Sequence, residues 1–217
     1  MRAARLEGCS IGFLTHPQAG TQVEADESLL RRKGQTGQLI ERALGASAGP
    51  RAVPDFVGLG VELKTVPVDL AGRPRESTFV CSFRVGEVES ASWRTSPLRA
   101  KLAHVLFVPI VGRGAQRTIG RPCFWRPTPA QEAELQADFE HLMDVILRGR
   151  IESLTAHHGR WLQVRPKAAH GRVRTLAYGL DDEPIATIPR GFYLRARCVG
   201  ALLRGALREN AAQPSTR

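Results

Sequence analysis

Pro54-Asp55-Phe56-Val57-Gly58-Leu59-Gly60-Val61-Glu62-Leu63-Lys64-Thr65 is the stretch whose reading decides the fold and the chemistry. It sets one carboxylate, then a second carboxylate two residues before a lysine, in a β-prone run read as a strand over Asp55–Thr65. Side chains at i and i+2 of a strand share a face. Glu62 and Lys64 are therefore expected to project together, with Val61 and Leu63 turned to a core. Two converging carboxylates, Asp55 and Glu62, can hold Mg²⁺, a hard ion that prefers oxygen ligands. A lysine beside them can orient or deprotonate an attacking water and offset phosphate charge, the minimal equipment for metal-assisted phosphodiester hydrolysis. Taken alone, Asp…Glu-x-Lys also fits a surface strand with a Glu/Lys pair.

The chain has 217 residues, enough to bury a sizeable core, and a net charge of +10. That charge implies a polyanionic partner. Nucleic acid fits better than a membrane, because no apolar run approaches the ~20 residues that span a bilayer. The Ile11–Leu14 patch is too short for a signal-peptide core. Cys9, Cys81, Cys123 and Cys198 are scattered without a C-x-x-C pair. Cys81 and Cys123 are read as buried free thiols, as in a reducing cytoplasm. Of 31 basic residues only Lys33, Lys64, Lys101 and Lys167 are lysine. Either they stand where arginine's wide, permanently charged fork cannot serve, or they are leftovers of a biased codon supply.

A helix is expected over Ser28–Leu44, interrupted at Gly34 and Gly37. Strands are expected at Ser77–Phe83, Val105–Val111 and Trp161–Arg165, the last followed by a Pro166-Lys167 turn. Thr128 with Pro129 and Gln131 reads as a capping box opening a helix that buries Leu135, Phe139, Leu142 and Ile146 and stops at Gly149. A last helix is expected from about Tyr193 to Leu207, with residues 209–217 a polar tail and residues 1–24 a poorly patterned start. Strands mixed with helices give an α/β class.

Several separated words then match one family in order: Leu44-Gly-Ala-Ser-Ala-Gly49, Asp55-Phe56, Leu59 to Thr65, Pro67-Val-Asp69, Gly72-Arg-Pro74, Thr78-Phe-Val-Cys81, Arg165-Pro-Lys-Ala-Ala169 and Pro189-Arg-Gly-Phe-Tyr-Leu194. Through them the chain resembles the MutH family of mismatch-repair endonucleases, within the PD-(D/E)xK superfamily. The resemblance implies a restriction-endonuclease-like mixed β-sheet core flanked by helices. It further implies that residues 25–208 form two lobes with a DNA cleft between them. The implied activity is Mg²⁺-dependent nicking of the unmethylated strand at hemimethylated or unmethylated GATC in double-stranded DNA, switched on by MutL. The implied protein is a cytoplasmic monomer.

Carried over by position, Asp55 and Glu62 become metal ligands, Lys64 the residue that positions or activates water, Glu41 an assisting acid and Lys101 a second lysine for cleavage. Lys33 falls at a basic position near the DNA. Arg165, Pro166 and Lys167 fall on the base-reading element, where lysine or arginine can donate to guanine O6 and N7. Arg165 would equally serve as a phosphate contact or an exposed strand residue. Tyr193 matches a tyrosine that senses adenine methylation, and Phe79 an aromatic at the minor groove, for which a buried strand phenylalanine is the plain alternative. Two competing readings are a stand-alone type II restriction endonuclease for GATC and a DNA-binding module without catalysis. The intact Asp55, Glu62 and Lys64 oppose the latter.

Overall fold

The computed structural model describes residues 2–15, 34–49, 51–83, 91–114, 117–155, 157–168, 172–180 and 183–212. The chain divides into two compact units, Met1–Glu76 with His104–Arg126 and Ala196–Arg217, and Ser77–Ala103 with Pro127–Arg195.

The first unit is organised by strand β3 (Val105–Val111). Its unbroken apolar run, Val-Leu-Phe-Val-Pro-Ile-Val, suits a strand covered on both faces. Strand β1 (Glu62–Val68) pairs with it in parallel, Glu62 opposite Val105 through Val68 opposite Val111. On its other side β3 takes two short antiparallel strands, β4 (Thr118–Ile119) and β5 (Cys123–Trp125). One core gathers Val61 and Leu63 with Leu106 and Val108, under Ile40 and Leu44 of helix α2 (Gln35–Leu44). Ile11 of helix α1 (Ile11–Thr15) and Ala3 are buried in the same core, so the poorly patterned start contributes to packing. Helix α5 (Ala196–Ala212) packs against β5.

The second unit is built on an antiparallel sheet in the order β2 (Thr78–Ser82), β9 (Arg190–Leu194), β6 (Leu162–Pro166). A separate hairpin pairs β7 (Thr175–Tyr178) with β8 (Pro184–Thr187). Helix α4 (Pro129–Leu147) opens on the expected capping box and buries Leu135, Phe139, Leu142 and Ile146. It packs against β6, and the Phe139 ring meets those of Phe192 and Trp93 in tilted contacts at centroid distances of 5.8 and 5.7 Å. Helix α3 (Pro97–Leu102), started by Ser96 and Pro97, lies against β2.

Five expectations are corrected. The first strand begins at Glu62, not Asp55. A single 3-10 turn, Val57–Leu59, precedes it and closes through Gly60 at φ 62°. Gly60 marks the turn because glycine occupies that region without strain. Tyr193 lies on β9, not at a helix start, and the last helix begins at Ala196. Residues 190–194 hydrogen-bond to β2 on one edge and β6 on the other, a non-local pairing that overrides helical periodicity. Gly37 sits inside α2 without breaking it. The helix starts after Gly34, at φ 96°, and residues 28–33 lie outside the described residues. Helix α5 runs on to Ala212, past the expected end at Leu207. Pro166, read as a turn, is the last residue of β6.

Candidate active site and nucleic-acid interface

Local backbone chemistry places the first acid. Helix α2 ends on Gly45 at φ 83°, and the amides of Ser47 and Ala48 then donate to the carbonyl of Asp55, at 3.0 and 3.1 Å. Phe56 bridges to Val61, its amide donating to the Val61 carbonyl at 2.9 Å, so the intervening turn folds the chain back on itself. The fold-back brings Asp55 Oδ2 to 2.8 Å from the amide of Leu63, the residue after Glu62. Seven positions separate the carboxylates in sequence, and the turn removes that separation.

Glu62 and Lys64 emerge on the same side of β1, as strand alternation requires. Lys64 Nζ donates to Glu62 Oε1 at 2.5 Å, and the glutamate side chain is only 2% exposed. Register sets both on the side of Val105 and Phe107, opposite the Leu63 side covered by α2. Glu41 rides on α2, where its Oε1 and Thr65 Oγ1 flank the space above Gly37. Among the described residues no three of His, Cys, Asp and Glu gather as a metal-holding group. The Leu63 amide holds the Asp55 carboxylate beside the backbone of Glu62. Carboxylate oxygens fit a hard divalent cation, which keeps several of its own waters.

The second unit carries a different cluster. Phe79 and Tyr193 face each other across β2 and β9 and meet edge to face, centroids 5.3 Å apart. Lys167 Nζ stands 4.5 Å from the Phe79 centroid, and the Arg165 guanidinium 5.9 Å from that of Tyr193. Both are cation–π contacts with the aromatic faces. Arg165, Pro166 and Lys167 are exposed and both rings half-buried, so cationic and aromatic groups stand together at the surface. The Lys167 amide donates to the Pro189 carbonyl at 2.6 Å, tying this end of β6 to the lead-in of β9. The start of β6 is held by Asp138 of α4, whose carboxylate accepts the amides of Arg160, Trp161 and Leu162 at 2.6 to 2.9 Å. Asp138 escaped the sequence reading because a carboxylate at a core position of a helix gives no local sign of its partners.

Lys101 is buried on α3 in this second unit. Lys33 lies outside the described residues. Gly191 and Gln163 were not singled out from sequence. Gln163 is buried opposite Tyr193, its amide donating to Ser77 Oγ.

The mixed sheet with flanking helices, with Glu62 and Lys64 on its outer strand and Asp55 held to the Leu63 amide beside them, defines a restriction-endonuclease-like DNA nuclease. Comparison with known proteins narrows the class. Residues 44–138 match the family model described as DNA mismatch repair enzyme MutH. The chain is 46% identical over 206 residues to the DNA mismatch repair protein MutH of Serratia proteamaculans, covering 93% of this chain and 89% of the relative. It is 44% identical over 207 residues to that of Vibrio cholerae serotype O1, covering 94% and 92%. To that of Escherichia coli O17:K52:H18 it is 45% identical over 206 residues, covering 93% and 89%. The chain belongs to the MutH family of DNA mismatch repair enzymes.

Proposed function

We propose that this nuclease nicks the unmethylated strand of hemimethylated or unmethylated GATC sites in duplex DNA, with Mg²⁺ as cofactor and MutL as activator. The observation that carries the reading is the Glu62–Lys64 pair beside Asp55, in a chain about as close to three MutH proteins as those identities imply. Asp55 and Glu62 would hold the metal, with Glu41 assisting. A bound divalent ion supplies Lewis-acid stabilisation of charge on the phosphate and lowers the pKa of a water. Lys64 holds the Glu62 carboxylate in place and orients the attacking water. Its compact ammonium also offsets charge on the phosphate as the sugar oxygen departs. Lys101 assists cleavage and Lys33 contacts the DNA.

Lys167 and Arg165 read guanine edges in the major groove, with Pro166, the last residue of β6, between them. Phe79 meets the minor groove, and the Tyr193 ring rejects an adenine carrying an N6 methyl by steric overlap. The protein acts as a monomer in the cytoplasm. A net charge of +10 supplies the phosphate attraction that brings it to any duplex before sequence is read.

The test is cleavage of one GATC duplex in three methylation states, with and without MutL and ATP. The expected result is slow nicking of unmethylated and hemimethylated sites, strong stimulation by MutL, and sparing of the fully methylated site. Vigorous double-strand cleavage indifferent to MutL would place the protein among stand-alone restriction endonucleases instead.

A further inference from the structure

Gly191 lies at the centre of the β2–β9–β6 sheet, paired with Ser82 on one side and Arg165 on the other. A Cβ built on it would stand 2.7 Å from Phe79 Cε2 and 2.8 Å from the Cys81 carbonyl oxygen. Real Cβ atoms do not approach other heavy atoms so closely. Gly191 is not among the glycines with positive φ, so backbone conformation does not call for glycine here. What calls for it is space: the Phe79 ring lies across the bare backbone of β9, where any side chain would lift it. From that seat the same ring meets Tyr193 edge to face and Lys167 through its π face. A bulge in β2 between Phe79 and Cys81 completes the arrangement, placing the ring and the Cys81 carbonyl together over Gly191.

We infer that Gly191 is a positioning residue for DNA recognition: by leaving room for Phe79, it sets the orientation of both Lys167 and Tyr193. The inference rests on the reading of that face as the base-contacting surface. Gly191 itself touches no base. The Cys81 carbonyl, also in the way of a Cβ, bears on the β2–β9 pairing and so on stability; the effect on recognition passes through the Phe79 ring and should disappear when the ring is gone.

A double-mutant cycle of Gly191→Ala and Phe79→Leu tests this, with circular dichroism and thermal melting to confirm folding. Two kcat/KM ratios are read: GATC against a site with one base changed, and unmethylated against fully methylated GATC. Gly191→Ala should lower at least one ratio by ~5-fold or more, the lower end of what one base contact is worth. The double variant should lose no more discrimination than Phe79→Leu alone. Effects that multiply independently, or ratios unchanged in a folded Gly191→Ala protein, overturn the inference. If Gly191→Ala does not fold, Phe79→Leu decides. Loss of the ring-current shift on the Lys167 side-chain signals together with lowered ratios supports the inference, and unchanged ratios overturn it. A wild-type enzyme indifferent to both base change and methylation would instead remove the recognition reading on which the inference rests.

Discussion

Replacing Lys64 by alanine should separate the structural from the chemical role of the Glu62–Lys64 pair. The side chains are 2% and 13% exposed for glutamate and lysine, and Nζ sits 2.5 Å from Oε1. Without the ammonium, the Glu62 carboxylate loses a charge-assisted hydrogen bond in a site that solvent barely reaches. Removing one member of a fully buried pair costs about 3–5 kcal/mol, and losing a charge-assisted hydrogen bond about 1.5–3 kcal/mol. The residual exposure of Lys64 lets some water return, so a loss of about 2–3 kcal/mol is expected. For a chain of this length that lowers the melting temperature by about 4–12 °C. The melt should be run in EDTA, where no ion can take over the role of the lysine. Saturating Mg²⁺ should then recover part of the loss in the variant. Nicking should nonetheless stay down by roughly 100-fold or more, since an ion on Glu62 does not restore the amine that faces the water. Lys64→Met, which keeps most of the side-chain volume, should behave like the alanine variant if charge is what matters. An unchanged melt in EDTA would refute the buried-pair argument, and near-normal nicking would remove Lys64 from the chemistry.

Asp138→Asn should destabilise the second unit by about 2–4 kcal/mol, because three backbone amides at the head of β6 lose a charged acceptor. An unchanged thermal melt would show that the carboxylate does not hold the strand. Glu152 is held below the ordinary carboxylate range by its hydrogen bonds from Thr187 and Arg190. Its contribution to stability is therefore present above pH 4.5 and fades as pH falls through the depressed folded value. Glu152→Gln should flatten that acid limb in melts between pH 5 and 3 (roughly the carboxylate range), and an identical limb would count against the contact. Burial pushes the Cys123 thiol up to about 11, leaving roughly one molecule in a thousand as thiolate at pH 8. In the folded protein it should resist iodoacetamide and react once the chain is unfolded in guanidinium; rapid labelling of native Cys123, read by mass spectrometry, would refute its burial. Lys167→Ala should lose preference for GATC by about 1–3 kcal/mol, measured as a ratio of affinities for cognate and altered duplexes. A uniform fall across all sequences would mean that Lys167 touches phosphate only.

Much of this protein is local enough to be read along the chain. Strand alternation alone puts Glu62 and Lys64 on one side of β1, and the 2.5 Å contact follows. The run Val105–Val111 is apolar throughout, so its ends coincide with those of β3. Thr128, Pro129 and Gln131 open α4 because a capping box needs only residues within one turn. The match to MutH words likewise depends on residues in series, and it named Phe79, Arg165, Lys167 and Tyr193 as a group while they were still 114 positions apart at the extremes, from 79 to 193.

Tertiary structure decided what depends on distant partners. Tyr193 belongs to a strand because β2 and β6 both bind that segment, and neither is near it in sequence. Asp55 reaches the amide of Leu63 through a turn at Gly60 rather than along a strand, the left-handed glycine folding the chain back while the Ser47 and Ala48 amides hold the Asp55 carbonyl. Asp138 acquires its role from amides 22 to 24 positions away. Gly191 has no signature of turn or bulge in sequence. Its significance arises only when Phe79, folded over from another strand, occupies the place where its side chain would have been.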